Sequence, residues 1–418
     1  MTHSYRSNPL CIAKINNVSV IVQATTSVSQ HRYSSDISVL WSATATTEVM
    51  CDAILAAAQA EPLAMVIIWF SANRHNASDI VNRLAAGSAS LSYCGCSTCG
   101  EITPDGMQSD GFVALTLPTR WFSCTTTVLN KVASLGMETI AHRCAGTRKR
   151  FIGAMSAQPE PGSVFAMSLI DGLSYSEEAV TVAIDRGLDG IPLIGGSSGD
   201  NLEFEATWQI SCGQSHSQAC IVLLVHCKLP CRIYTNNNFV PTDYKLVVTE
   251  ADPDRRRVTE FNAEPAALAY ANAIGLKRSE LDAGSFASHS IIVKFGGQHF
   301  CRSIQKLNED GSLTFFCAID NGLVLTVANS VGMEASSREQ IENLEKEIGP
   351  IDLLFGFDCV YRKLDAQRRG TTHKIAALYK EKNFIGFNTY GEQYGSMHVN
   401  HTFTGVAIGM PLAEITKN

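Results

Sequence analysis

The sequence predicts a mixed α/β protein, and three observations carry that prediction. Apolar runs of strand length alternate with amphipathic helical stretches along the whole chain. A glycine-rich turn motif recurs in the two halves. The 418 residues exceed what one hydrophobic core usually spans, so two related domains are expected, each a mixed sheet flanked by helices.

Val18–Ala24 reads as a strand, and Glu48–Ala60 as a helix with Met50, Ile54, Leu55 and Ala58 on one face. Leu63–Phe70 is a buried strand, Asp79–Leu84 a helix, and Phe112–Leu117 a strand after Asp110-Gly111. Ser163–Ile170 is a further strand. Ser174-Tyr175-Ser176-Glu177 has the form of a capping box opening a helix through Arg186, and the pair Glu177-Glu178 caps it. Ile191–Ile194 and Ala219–Val225 are strands. A polar, proline-flanked passage, 229–241, places the domain boundary near 235–245, with a second candidate at 158–162. Domains 20–240 and 241–415 result. In the second half, Glu264–Leu276 is a helix, and Ser290–Phe295, Leu313–Ala318 and Asp352–Phe357 are strands. Ser337–Ile348 is a helix capped by Ser337, with Gln340 three residues on.

The net charge of −7 removes the electrostatic footprint of a nucleic-acid binder. Two basic runs, Arg148–Arg150 and Arg255–Arg257, are short, bordered by turn formers, and read as solvated loops. Residues 1–17 hold no apolar signal core, and the longest apolar runs fall far short of the roughly 20 residues that span a bilayer. Fourteen cysteines in such a chain imply reduced thiols, and cytoplasmic placement is expected, away from membranes.

Gly95-Cys96-Ser97-Thr98-Cys99-Gly100-Glu101 aligns with Gly386-Phe387-Asn388-Thr389-Tyr390-Gly391-Glu392, identical at four of seven positions. A looser copy is Gly195-Gly196-Ser197-Ser198-Gly199-Asp200. The pattern describes a strand running into a tight turn, where glycine allows close backbone approach and hydroxyls and carboxylates cap amides. The cysteines are not repeated, which argues against sulfur as the motif's purpose. Three such turns either converge on a shared cavity or serve as structural turns. The first reading nominates Gly95, Cys96, Ser97, Thr98, Gly100, Glu101, Gly196, Ser197, Asp200, Thr389, Gly391 and Glu392 as ligand contacts.

Several blocks resemble the FIST family of sensory proteins, which carry an N-terminal and a C-terminal FIST domain. They are Gly95–Glu101, Asp171–Ser174 with Glu177-Glu178, Ile191–Asp200, Val248–Pro265, Phe357–Arg362, and Gly386–Glu392 followed by His398–Thr402. The resemblance implies a cytoplasmic module that binds a small ligand and passes its state to a partner. Some stand-alone members are similar to haem-based nitric-oxide sensors working with a sensor histidine kinase; the family is also proposed to bind amino acids or related metabolites. A family His-Asn-x-Thr segment matches here at His398, which makes His398 the axial candidate for haem b.

His226, at the end of an apolar strand, is the second candidate; no C-x-x-C-H supports covalent attachment. Cys96-x-x-Cys99 has the spacing of half a zinc site or a dithiol, but no second half exists, and Cys227-x-x-x-Cys231 is a lone pair. An enzyme using Cys96 and Cys99, by thiol or metal chemistry, is the rival reading. No catalytic residue is assigned, because no spacing places a base and an orienting acid near a nucleophile.

Overall fold

In the computed structural model, residues 27–295 and 298–411 are described. The mixed α/β class holds: nine α-helices and four mixed or antiparallel sheets lie among the described residues. The Val18–Ala24 strand lies outside them.

Three of the sheets are copies of one design. An outer strand is followed by a helical layer, a lead strand, a second helical layer, a turn strand, a short hairpin and a return strand. In the first copy these strands are Ser38–Ser42, Leu63–Phe70, Tyr93–Ser97, the hairpin Glu101–Thr103 with Gly106–Gln108, and Phe112–Pro118. In the second they are Phe122–Asn130, Val164–Ile170, Leu193–Ser197, Gln209–Ser211 with Gln214–His216, and Ala219–Cys227. In the third they are Cys231–Asn237, Ile351–Cys359, Phe384–Thr389, Glu392–Tyr394 with Met397–Val399, and Thr402–Gly409. Lead and turn strands pair in parallel across a helical crossover, and return strands pair antiparallel to the lead.

Each hairpin leaves its own sheet for the next. The first hairpin pairs with the third turn strand, the second with the first, and the third with the second. The three sheets are thereby interlocked in a ring. Their inner faces share one core, in which Met65, Ile67 and Trp69 meet Phe165, Met167 and Leu169 and then Leu353, Phe355 and Phe357. The alternate residues, such as Val66, Ile68 and Phe70, pack outward under helices. Burial on both faces is why these strands read as unbroken apolar runs.

The fourth sheet, eight antiparallel strands within Phe239–Ser330, is inserted between the outer strand and first helix of the third copy. The passage 229–241 is therefore not a loop: Cys231–Asn237 is a strand leading directly into Phe239–Asp252.

Local corrections follow from tertiary partners. The Ser174 capping box does not form; the helix is Glu177–Leu188, Ser174 Oγ bonds Ser176, and both glutamates pair with Arg256 instead of capping. Arg256 is accordingly buried rather than solvated, and Arg148–Arg150 lie in the helix Met137–Gly153. Ser337 does not start its helix, which runs Met333–Ile348; its buried hydroxyl accepts from Arg362 Nη2 at 3.0 Å. The helix expected from Glu264 begins at Ala266, after a short strand, and ends at Ala273.

Candidate functional site

The three turn strands end at one point and are stitched by a cyclic set of backbone bonds. Ser97 N–H donates to Trp208 O at 2.9 Å, Ser197 N–H to Gly391 O at 2.8 Å, and Asn388 N–H to Gly100 O at 2.8 Å. A second set runs the other way: Gly199 N–H to Ser97 O at 3.1 Å, Tyr390 N–H to Ser197 O at 3.4 Å, and Cys99 N–H to Asn388 O at 2.9 Å. Glycine is required where strands close up: a Cβ on Gly95 would sit 2.0 Å from Ile68 O, and one on Gly386 2.0 Å from Gly356 O. The turns do converge, and what they build is a joint.

Most residues nominated from the motif serve that joint. Gly95 and Cys96 are strand residues in the buried centre. Gly196 lies against the Phe357 ring. Ser97 Oγ accepts from Trp208 N–H and from Gln393 Nε2, both at 3.0 Å. Thr98 Oγ donates to Glu101 Oε1 at 2.5 Å, and Gly100 N–H to Thr98 Oγ1 at 3.3 Å. Thr389 Oγ lies 2.7 Å from Ser197 O and 2.8 Å from Gly391 O, and its one proton is shared between them. Asp200 accepts three backbone N–H groups, Phe204 to Ala206, as well as the Tyr390 hydroxyl.

The two glutamates of the repeat occupy equivalent places. Each opens a hairpin strand and accepts the backbone N–H ten residues on: Gly111 to Glu101 Oε2 at 2.7 Å, Thr402 to Glu392 Oε2 at 3.1 Å. Between them and that N–H stands a residue with left-handed backbone, Asp110 (φ 61) in one copy and His401 (φ 55) in the other. Glu101 has both oxygens bonded. Glu392 spends both bonds on one oxygen, since Thr402 Oγ also donates to Oε2 at 2.6 Å, and Oε1 is bare. Burial pushes the Glu101 carboxyl up to about 7 and the Glu392 carboxyl up to about 8, against the bonds each accepts.

Glu392 Oε1 is one of seven buried side-chain atoms without a hydrogen-bond partner in this region. The others are Asn400 Oδ1, both ring nitrogens of His401, Ser290 Oγ, Ser303 Oγ and Arg302 Nε. They surround the contact of the third repeat with the inserted sheet. His401 lies edge-on between Phe239 (4.9 Å between ring centroids) and Tyr361 (5.1 Å). Cys301 lies beside Ser290, Arg302 and Glu392, and Cys359 beside Glu392 and His401. Thiols are weak donors and leave these oxygens effectively bare. A buried polar atom without a partner costs about 1–3 kcal/mol, and native proteins hold few of them. Seven such atoms on the two sides of one contact single it out as the candidate site, where ordered water or a ligand would supply the missing bonds.

One wall of this place is an ionic cluster. Arg256 Nη2 reaches Glu177 Oε2 and Glu178 Oε2, each at 2.6 Å; Nη1 donates to Phe316 O; and Ala318 N–H donates to Glu178 Oε1 at 2.6 Å. Burial works to raise the Glu178 carboxyl, but His398, Arg256 and the Ala318 N–H hold it below its ordinary value. The cluster ties the inserted sheet to the helix of the second repeat.

His398 is buried; its Nδ1 is engaged by Gln393 Nε2 at 3.1 Å, and its Cε1–Nε2 edge lies over Gly391. Burial pulls it down to about 4, while His401 falls to about 3. The Nδ1 hydrogen bond is compatible with an axial ligand, but the Nε2 edge lies against Gly391 rather than against an apolar slot. His226 does sit beside a cleft, of about 700 Å³, together with Cys124, Arg150, Phe151, Met155 and Lys228. Cys96 and Cys99 do not share an opening: Cys96 is enclosed in the core, while Cys99 borders a cavity of about 330 Å³ with Asp110, Asn201 and Lys363. Burial drives both thiols up, Cys99 to about 12, the opposite of an activated nucleophile.

Sequence reasoning reached Glu392 but missed Ser290, Arg302, Ser303, Asn400 and His401 as a group. The available signals were small: serine on the buried face of the apolar strand His289–Phe295, and histidine where its repeat mate is a turn-forming aspartate. Arg256 sits between Arg255 and Arg257, and a short charged run carries no local signal of the one member that turns inward.

The family model described as FIST N domain matches residues 64–264, and the one described as FIST C domain matches residues 266–395. No curated protein sequence matches the chain.

Proposed function

Since the chain is a FIST-domain protein, with a FIST N and a FIST C domain in series, and such domains are small-ligand-sensing modules of signal transduction, we propose that its ligand seat is the bare polar group around Glu392, Asn400 and His401. The observation that carries this is the seven unpartnered atoms. Their chemistry suits a compact polar molecule without haem, of the amino-acid or related-metabolite class. Arg302 Nε–H would meet an anionic end and Asn400 Oδ1 an amine, while the Glu392 carboxyl, raised to about 8, would donate from Oε1 to a ligand acceptor. Bound there, the ligand touches both the third repeat and the inserted sheet, and so biases their arrangement in proportion to its differential affinity. The Arg256–Glu177–Glu178 cluster lies on the route by which that bias reaches the second repeat. A sensor histidine kinase in the cytoplasm is the partner this reading expects.

A thermal-shift panel of the free amino acids and their simple derivatives tests the seat. At 100 Kd a true ligand adds about 2.7 kcal/mol of stability. We expect a subset of the panel to raise Tm by several degrees, and Ser290→Ala and Asn400→Leu to weaken that rise. A flat response across the panel contradicts the reading.

The cleft at His226 favours a second reading. Its size suits a prosthetic group, burial and Lys228 shift the imidazole toward its neutral, ligating form, and Phe151 and Met155 offer apolar surface. Haem b held there would supply an iron that binds nitric oxide; His226 would hold it, and Arg150 and Lys228 are the cleft's cations that could pair with its acid groups. Haemin titration separates the candidates: a Soret band that shifts with nitric oxide, survives His398→Ala and collapses in His226→Ala supports the cleft. No Soret band removes haem.

A further inference from the structure

Cys227 ends the second return strand and Cys231 opens the third outer strand, so Lys228-Leu229-Pro230 carry the chain from one sheet to the next. The crossover is clamped: Cys227 N–H donates to Ser163 O at 2.8 Å, Lys228 N–H to Trp121 O at 2.9 Å, and Gly409 N–H to Pro230 O at 2.7 Å. Inside that clamp the two sulfurs are near enough to influence each other's ionisation. Cys227 Sγ also donates to Leu229 O at 3.5 Å and Cys231 Sγ to Gly162 O at 3.4 Å. Cys227 is fully buried, whereas Cys231 is partly exposed.

One accessible sulfur backed by a buried one is the arrangement of an attacking and a resolving thiol. We propose that Cys227 and Cys231 form a modification site, a dithiol that closes to an intramolecular disulfide under a peroxide-class oxidant. The neighbouring Cys227 thiol holds the Cys231 thiol below its usual value against burial, and Cys231 is also the more exposed of the two, which favours it as the attacking sulfur. Its thiolate attacks a peroxide oxygen, the O–O bond breaks, and hydroxide leaves. Cys227 then attacks the sulfenic sulfur and the oxygen departs as water. Two thiols lose two electrons and two protons, and hydrogen peroxide becomes two waters. The link joins the second sheet to the third beside the cleft lined by His226 and Lys228, and it depends on neither ligand reading.

The test is hydrogen peroxide at stoichiometric dose on the full-length native protein, followed by alkylation, tryptic digestion and mass spectrometry. The expected product has lost two hydrogens, and cleavage after Lys228 leaves two peptides joined through Cys227 and Cys231. Exposed Cys212 reports the reactivity of a single thiol. In Cys227→Ser, dimedone should trap a sulfenic acid at Cys231; in Cys231→Ser, Cys227 should stay reduced. Should either variant misfold, phenylarsine oxide on the unmutated protein gives the second measurement, because it bridges adjacent thiols and should block this pair while leaving Cys212 free. Cys227 and Cys231 both alkylatable after peroxide while Cys212 is consumed, or both free after phenylarsine oxide, overturns the proposal.

Discussion

The turn at Gly95–Glu101 and the turn at Gly386–Glu392 share a plan and differ in how completely it is closed. Both end a parallel strand, join the same ring of backbone bonds, and present a glutamate to the N–H ten residues on. In the first copy Thr98 caps the remaining oxygen, and Asp110 is bonded to Ser71 and Asn201. In the third copy, Thr389 turns away to the ring, Glu392 keeps a bare oxygen, and His401 stands where Asp110 would with neither nitrogen bonded. In the first copy the glutamate is fully bonded, and the bare oxygen beside it belongs to Gln108. The third copy is the same joint left open toward the inserted sheet, and the difference marks where function was added to a structural repeat.

The comparison breaks most visibly if the glycines are not equivalent. Gly95→Ala and Gly386→Ala each force a Cβ onto a carbonyl oxygen of the neighbouring lead strand, Ile68 or Gly356. Both are expected to cost about 3–5 kcal/mol, or to prevent soluble expression, by chemical denaturation. A severe loss in one copy alone would deny the common plan.

The glutamates sharpen it. Glu101→Gln places an amide opposite a buried N–H or hydroxyl and should destabilise by about 1–3 kcal/mol, whereas Glu392→Gln, with one oxygen bare, should cost under about 1 kcal/mol. Their pH dependence gives a further handle. Both carboxyls are raised from an ordinary 4.5, so the folded state holds protons that the unfolded state releases. Their contribution is full below about pH 4.5 and is lost as pH rises through about 7 for Glu101 and about 8 for Glu392. Denaturation midpoints should fall across that window, and Glu392→Gln should flatten the upper part. An unchanged slope between pH 7 and 8 in Glu392→Gln would mean that Glu392 is ionised throughout.

The smallest effect is the most telling about the open side. Ser290→Ala removes a buried hydroxyl that has no partner, so without ligand its stability should stay within about 0.5 kcal/mol of the parent or rise slightly. A loss above about 1 kcal/mol would mean that the hydroxyl is bonded in the resting protein.

The sequence shows the alternation of elements and the Gly-Thr-Gly-Glu echo, because both are local: strands buried on two faces give continuous apolar runs, and close approach admits only glycine. The looser Gly195–Asp200 copy was the trace of the middle sheet, but its hairpin opens with Gln209 rather than glutamate, which hid the repeat. The exchange of hairpins between sheets is a tertiary arrangement with no local signal. Ser337 and Ser174 looked like caps because cap patterns are short, and Arg362, Glu177 and Arg256 overrode them. The open seat was least legible. Its residues come from segments about a hundred positions apart, and what defines them is bonds that are not made.

The most direct measurement is an electron-density map of the protein at a resolution that shows ordered water. The account predicts density within hydrogen-bond distance of Glu392 Oε1, Asn400 Oδ1 and His401, with none against Glu101. Glu392 and His401 packed dry against protein atoms, or matching density at both glutamates, would contradict it.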